Sequence, residues 1–374
     1  MTAPPRHVVL APDSFKGTAE APVVAAALAA GWRRHRPDDT LVELPLADGG
    51  EGTLDALGAG LDASVRRTLT VRGPDGAPRT AAWLLRPDGT AVVELARAAG
   101  LGLLDPLDPE GAGTAGVGDL LRAAAAEADR VLLTLGGSAT TDGGAGALAA
   151  LGARLLDDDG VPLPRGGAAL SRLAALDLDD LAAPPPGGLE CLVDVTNPLR
   201  GPRGAAAVFG PQKGADPGQV ARLDAALGRF AEVLAAAAPH PVDPRAPGAG
   251  AAGGVAFGLL SCWPGRMEPG SRAVADAVGL HAHLGDARLV VTGEGRFDDQ
   301  SAGGKVVGHL LERAAERGVP VAIVAGALDH AAVPSGVTAV SLTDLAGSAE
   351  AAVADPRRWL EEAGALLARR LGTG

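Results

Sequence analysis

The sequence predicts an α/β protein: a flavodoxin-like, doubly wound parallel sheet with a second, mixed α/β domain inserted into it. Three observations lead there. Strand-length apolar runs alternate with helix-period segments from end to end. Turn signals of the Pro-Asp-Gly type crowd a single stretch, about 64–96, where apolar residues alternate by two. Glycine-rich loops bearing charged residues follow several of the apolar runs, as at the ligand-binding edge of open sheets.

The elements follow in order. The run 8–11 reads as a buried strand that ends at Pro12-Asp-Ser-Phe-Lys-Gly17. A helix to about His35 follows, with Val23, Val24, Ala27, Leu28, Gly31 and Trp32 expected on one face and Thr18 as its expected cap. A strand at 41–46 runs into Ala47-Asp-Gly-Gly-Glu-Gly-Thr53. Segments 65–71, 80–85 and 91–95 predict an antiparallel meander. A helix at 116–128 and strands at 131–135 and 189–195 come next, then a Pro/Gly-rich loop at 239–254. Parallel-sheet character returns at 287–293, 319–325 and 337–342. With the two N-terminal strands these make five, in the expected order 2-1-3-4-5, with the switch point between the first strand and 287–293. The expected domains are 1–62 with 286–374, and an inserted 63–285; at 374 residues, 47% apolar, the chain can supply both cores.

Composition excludes several function classes. A net charge of −12 argues against nucleic acid and membrane surfaces as partners. The sequence shows neither an apolar run of spanning length nor a signal-peptide pattern, so a cytoplasmic protein is expected. Cys191 and Cys262 form no motif and read as reduced thiols. His281 and His283 are joined by no further ligand with metal-site spacing. A homodimer stands open as a partner, although the sequence identifies no particular apolar face for it.

Of 33 basic residues only three are lysine: Lys16, Lys213 and Lys305, each beside a glycine. Arginine stands wherever any positive charge suffices, so positions that keep lysine are informative. A compact ammonium reaches between phosphate oxygens where a planar guanidinium does not fit. Asn197, in Asp194-Val-Thr-Asn-Pro-Leu199, is the only asparagine.

The loop Leu135-Gly-Gly-Ser-Ala-Thr-Thr-Asp-Gly-Gly-Ala-Gly146 lacks the lysine of a P-loop. Its Gly144-Ala-Gly-Ala-Leu-Ala149 begins too far past the strand for a dinucleotide fingerprint. What remains is a glycine loop opening a helix. Gly136, Gly137 and Ser138 are expected to offer donors to a phosphate, and Asp142 to meet a cation or hydroxyl. At the strand end 293–299, Glu294, Arg296, Asp298 and Asp299 suit a phosphoryl clamp with Mg²⁺; Asp48 and Glu51 are similar candidates, with helix capping as their alternative role. With no zinc, thiol or Ser-His-Asp pattern, these features favour phosphoryl transfer by positioning and charge neutralisation.

The chain resembles the bacterial type I glycerate kinases over nearly its whole length. The matching stretches are 11–17 (APDSFKG), 45–53 (PLADGGEGT), 135–152, 194–199 (DVTNPL), 204–215, 247–254 and 292–306 (TGEGRFDDQSAGGKV). The resemblance implies ATP- and Mg²⁺-dependent transfer of the γ-phosphoryl group to D-glycerate, giving 2-phosphoglycerate, with the substrate between two α/β domains. Carried onto this chain, it suggests Lys16, Asp194 and Asp298 as catalytic, with Asp194 accepting the hydroxyl proton. Ser14, Asn197 and Arg296 would hold the substrate. Gly136, Gly137, Ser138, Asp142, Lys213 and Lys305 would hold the nucleotide, and Asp48 and Glu294 the metal. Thr141 stands where the family commonly has Asn, and Phe297 where an aliphatic residue is usual. No aromatic residue precedes the glycine pair of Thr114-Ala-Gly-Val-Gly-Asp119. These departures leave every charged position intact.

Overall fold

The computed structural model describes residues 5–60, 63–302 and 306–371. The chain divides into two compact units, one made of 1–48, 55–62 and 270–374, the other of 49–54 and 63–269. The sequence reading set the second crossing at 285/286. It falls earlier because the helices Gly270–Ala277 and Leu280–Asp286 pack in the first unit, against the helix Val306–Glu316 and the strand His7–Leu10 respectively.

The first unit is built on one parallel sheet. Its strands lie in the order Thr338–Ser341, Val321–Leu328, Leu289–Phe297, His7–Leu10, Thr40–Glu43. Numbered along the chain this is 2-1-3-4-5, as expected, with Val8 registered against Leu289 and Leu10 against Val291 at the switch. Apolar residues on both faces of these strands explain why the sequence shows continuous runs and not alternation. Val8, Leu10 and Val291 pack with Val24, Leu28, Trp32, Leu360 and Leu367 on one face. Phe297, Val307 and Ile323 fill the other. The first helix is Ala21–Arg33, with Pro22 in its first turn and no side-chain cap. Thr18 is therefore not its cap; its N–H donates to the Phe15 carbonyl in the tight turn before the helix.

The second unit carries a six-stranded mixed sheet, ordered Gly265–Pro269, Leu189–Val193, Arg130–Thr134, Thr90–Glu94, Pro78–Leu85, Val65–Arg72. The first four are mutually parallel, and the last three form the expected antiparallel meander. The strand Gly265–Pro269 and the small pair Arg154–Leu156 with Ala175–Asp177 were not anticipated. Cys191 and Cys262 are free thiols inside this core. Burial pushes both upward, Cys262 to about 12, so neither is a poised nucleophile.

Candidate active site

In the first unit the switch point gathers charge because strand pairing continues past the apolar runs. Asp13 N–H donates to the Gly293 carbonyl at 2.8 Å, bringing Asp13 beside Glu294. On the other side, Leu44 and Leu46 N–H groups donate to the carbonyls of Leu10 and Pro12, which carries the chain on to Asp48. Lys16 Nζ lies 3.6 Å from Asp48 Oδ2, with its side chain 80% exposed. Arg296 Nε lies 3.4 Å from Asp298 Oδ2, and the guanidinium is open to solvent.

Asp13 was not singled out from sequence. Its Oδ1 accepts the Ser14 N–H at 2.6 Å. Burial first, then the Asp48 carboxylate and to a smaller extent Glu294, raise the Asp13 carboxyl to about 7; the Ser14 N–H and the Lys16 ammonium pull the other way. The available signal was its place, at the carboxyl end of the first strand and directly before Ser14, but an aspartate between Pro and Ser also reads as a plain turn.

In the second unit the glycine loop follows the strand Arg130–Thr134 and leads into the helix Ala145–Leu151. Gly136 and Gly137 reach the surface, and Ser138 is nearly buried. A Cβ on Gly136 would stand 2.3 Å from Gly50 Cα, so that turn lies directly against the segment 49–54. Ser138 Oγ accepts the Thr140 N–H at 3.0 Å and shares a 2.9 Å hydrogen bond with Thr140 Oγ1.

Beyond Ser138 the loop turns inward, and two of the residues expected at the nucleotide, Asp142 and Lys213, are buried there. Asp142 is 1% exposed. Its Oδ2 accepts from Thr114 N (2.9 Å), Thr114 Oγ1 (2.8 Å) and Gly146 N (3.2 Å), and its Oδ1 from Gly144 N (3.1 Å). Burial pushes this carboxyl above its ordinary range against the pull of these donors. The N–H groups of Thr114, Gly144 and Gly146 are thus held by the protein's own carboxylate, while those of Gly136, Gly137 and Ser138 are not. Lys213 is the second case. It is 2% exposed and its Nζ donates to the Thr140 carbonyl at 2.5 Å, beneath the loop and not at its surface. Burial lowers the ammonium to about 8, with the Asp142 charge opposing.

Asp194 is exposed, immediately past the strand Leu189–Val193. Asn197 serves its own loop: Nδ2 donates to the Arg203 carbonyl at 2.8 Å and its main-chain carbonyl accepts the Gly250 N–H at 2.9 Å. That is the role of a turn before Pro198. Lys305 lies outside the described residues. Glu94 went unnoticed in the sequence. It is fully buried at a strand end, with its oxygens accepting the Gly52 and Leu54 N–H groups at 3.2 and 2.9 Å. The first unit therefore brings together Lys16, Asp48 and Glu294 around Asp13, while the second separates half-buried Gly136 and exposed Gly137 from buried Asp142 and Lys213.

The model of the glycerate kinase family matches residues 8–372. The chain belongs to the glycerate kinase family. It is similar to the glycerate 2-kinase of Escherichia coli K12, with 40% identity over 86% of this chain and 85% of the relative. The glycerate kinase of Bacillus subtilis 168 is 41% identical over 86% of this chain and 85% of its own. A crystal structure described as glycerate kinase 2 from Salmonella typhimurium LT2 superposes with a TM-score of 0.84, at 37% identity and 98% coverage of both chains.

Membership makes this chain a kinase and gives the switch-point charges a chemical frame. A phosphoryl-transfer enzyme works by electrostatic stabilisation and positioning, with little covalent chemistry of its own. In this glycerate kinase family member, Lys16 places an exposed ammonium at the strand ends, 3.6 Å from the Asp48 carboxylate. Among the described residues no helix is long and apolar enough to cross a membrane.

Proposed function

We propose that this protein transfers the γ-phosphoryl group of ATP to D-glycerate and gives 2-phosphoglycerate, with Mg²⁺ as cofactor. The observation that carries this reading is the 40% identity to a glycerate 2-kinase over 86% of the chain. The switch-point charges support it, and the domain assignment from sequence, a flavodoxin-like domain with an inserted one, belongs to the same proposal.

In this reading Mg²⁺ would be held by one or two carboxylates of the first unit, since among the described residues no three ligands converge on one point. Asp48 and Glu294 both push the Asp13 carboxyl upward, the sign of oxygen donors crowded without enough positive charge. Magnesium keeps several waters and needs only one or two carboxylates, so Asp48 and Glu294, helped by Asp13, would suffice. When bound, the ion would screen the negative charge of the nucleotide phosphates.

The remaining work falls to side chains. Lys16, exposed beside Asp48, neutralises charge on the transferring phosphoryl group. Arg296 pairs with the glycerate carboxylate in the planar geometry a guanidinium offers, Ser14 adds a hydroxyl for the substrate, and Asp298 keeps Arg296 oriented. Asp194 accepts the hydroxyl proton. Gly136, Gly137 and Ser138 meet the nucleotide phosphates.

The test is ADP release from Mg-ATP with D-glycerate, L-glycerate or no acceptor, followed by phosphorus NMR of the product. Turnover on D-glycerate with phosphate on carbon 2 is expected. Turnover confined to another hydroxy acid would move the substrate, and phosphate on carbon 3 would overturn the product.

A further inference from the structure

We propose that Thr114, Asp142 and Lys213 form a buried latch that sets the shape of the glycine loop 136–144, and that none of the three touches a ligand. They are positioning residues, and the exposed turn Gly136–Gly137 is what they position.

Three observations converge. The Asp142 carboxylate closes the starts of two helices at once. Thr114 is the N-cap of the helix Ala115–Ala125, and it gives Asp142 both its N–H and its hydroxyl. Gly144 and Gly146 N–H groups at the start of Ala145–Leu151 go to the same carboxylate. The Thr114 hydroxyl in turn accepts the Ala147 N–H at 2.9 Å. An internal anion thus complements the positive ends of both helices, the place an external phosphate would otherwise take.

Lys213 acts from a different element, the short 3₁₀ turn Pro211–Lys213. Its ammonium holds the Thr140 carbonyl, and Thr140 holds Ser138 through N–H and hydroxyl. A continuous chain of hydrogen bonds therefore runs from a buried ammonium to the residue next to the exposed glycines. Nothing else in the setting recommends a lysine there, since burying an ammonium is costly unless it is paired and hydrogen-bonded. The Asp142 charge supplies part of that compensation.

The inference rests on the reading that Gly136–Ser138 meets nucleotide phosphate, so its test includes readouts that do not need turnover. Asp142→Asn, Lys213→Met, Thr114→Val, Thr114→Ser and the Asp142→Asn/Lys213→Met double variant are compared with wild type in three ways. These are thermal melting, amide exchange at Gly144, Gly146 and Ala147, and separate kcat and KM values for ATP and D-glycerate.

With a latch, Asp142→Asn and Thr114→Val speed exchange at those amides and raise the KM for ATP by about 10–100-fold, the usual effect of a displaced contact. The KM for glycerate changes less than about twofold, Thr114→Ser retains wild-type behaviour, and the double variant loses less than the product of the two single losses. If Lys213→Met instead lowered kcat with melting and exchange unchanged, Lys213 would be a phosphate contact and the latch would be wrong. Exchange at Gly144 and Gly146 unaltered by Asp142→Asn would also overturn it. Should the wild-type protein turn over no acceptor, the kinase reading fails by itself, and melting and exchange still decide the latch.

Discussion

The strand ends of the first unit and the glycine loop of the second both hold charge, but they treat it in opposite ways. Around Asp13 the charges are less enclosed: Lys16 is 80% exposed, Asp48 is only part-buried, and Asp13 is pushed to about 7 by burial and then by the neighbouring carboxylates. Around Asp142 they are closed: four donors saturate the carboxylate, and Lys213 spends its ammonium on a backbone carbonyl. Charge that is exposed and under-compensated waits for a ligand, because bringing one in relieves it. Charge that is buried and satisfied has already found its partner, and its role is to hold shape. Kept lysines alone do not distinguish the two.

The largest effect that could break this contrast lies at Lys16. Lys16→Met is expected to lower turnover about 10²–10³-fold, the loss typical of one charge-stabilising group. The melting temperature should stay within about 1 °C, since an exposed ion pair contributes little. A large drop in melting would place Lys16 with the closed charges. The complementary change is Gly143→Ala. Gly143 sits at φ +65°, and a Cβ there would stand 2.6 Å from Phe230 Cδ1. Backbone strain and overpacking together predict a loss of about 2–4 kcal/mol in urea unfolding. A loss below about 1 kcal/mol would mean that the loop is not close-packed, and that its closed character is overstated.

How much was legible follows the same division. The five-stranded sheet and its switch point could be read because strands buried on both faces are written as plain apolar runs, such as 8–11 and 287–293. Gly265–Pro269 could not, since an edge strand built from Gly-Arg-Met-Glu-Pro carries none of that signal and ends in a proline. Within the site, resistance to arginine pointed at Lys16 and Lys213 alike. An ammonium is kept where it must move among phosphates and also where a guanidinium would not fit a buried slot, and sequence does not say which. The setting of Asp142 is illegible for a related reason: a carboxylate in a glycine loop looks the same whether it faces a cation or the loop's own N–H groups. Asp13 was passed over because pairing beyond the end of an apolar run, as between Asp13 and Gly293, leaves no mark in composition.

The smallest predicted effect is the most discriminating, because its sign is unusual. Asp13 titrates near 7 in the folded protein against an ordinary value of 3.8. The folded state then holds a proton that the unfolded state has released between about pH 4 and 7. Stability falls as pH rises through that window, and the cost is fully present above it. Asp13→Asn removes the cost. The metal-free variant should be more stable than wild type at pH 8 by on the order of 2 kcal/mol, less than the roughly 4 kcal/mol that the whole shift would give. At pH 4 the difference should vanish. The same substitution should weaken stabilisation by Mg²⁺, measured as the shift in melting temperature on adding the ion, because it takes away a donor along with the crowding. An Asp13→Asn variant that is less stable than wild type at pH 8 would show that Asp13 is satisfied within the protein, and the first unit would then resemble the second.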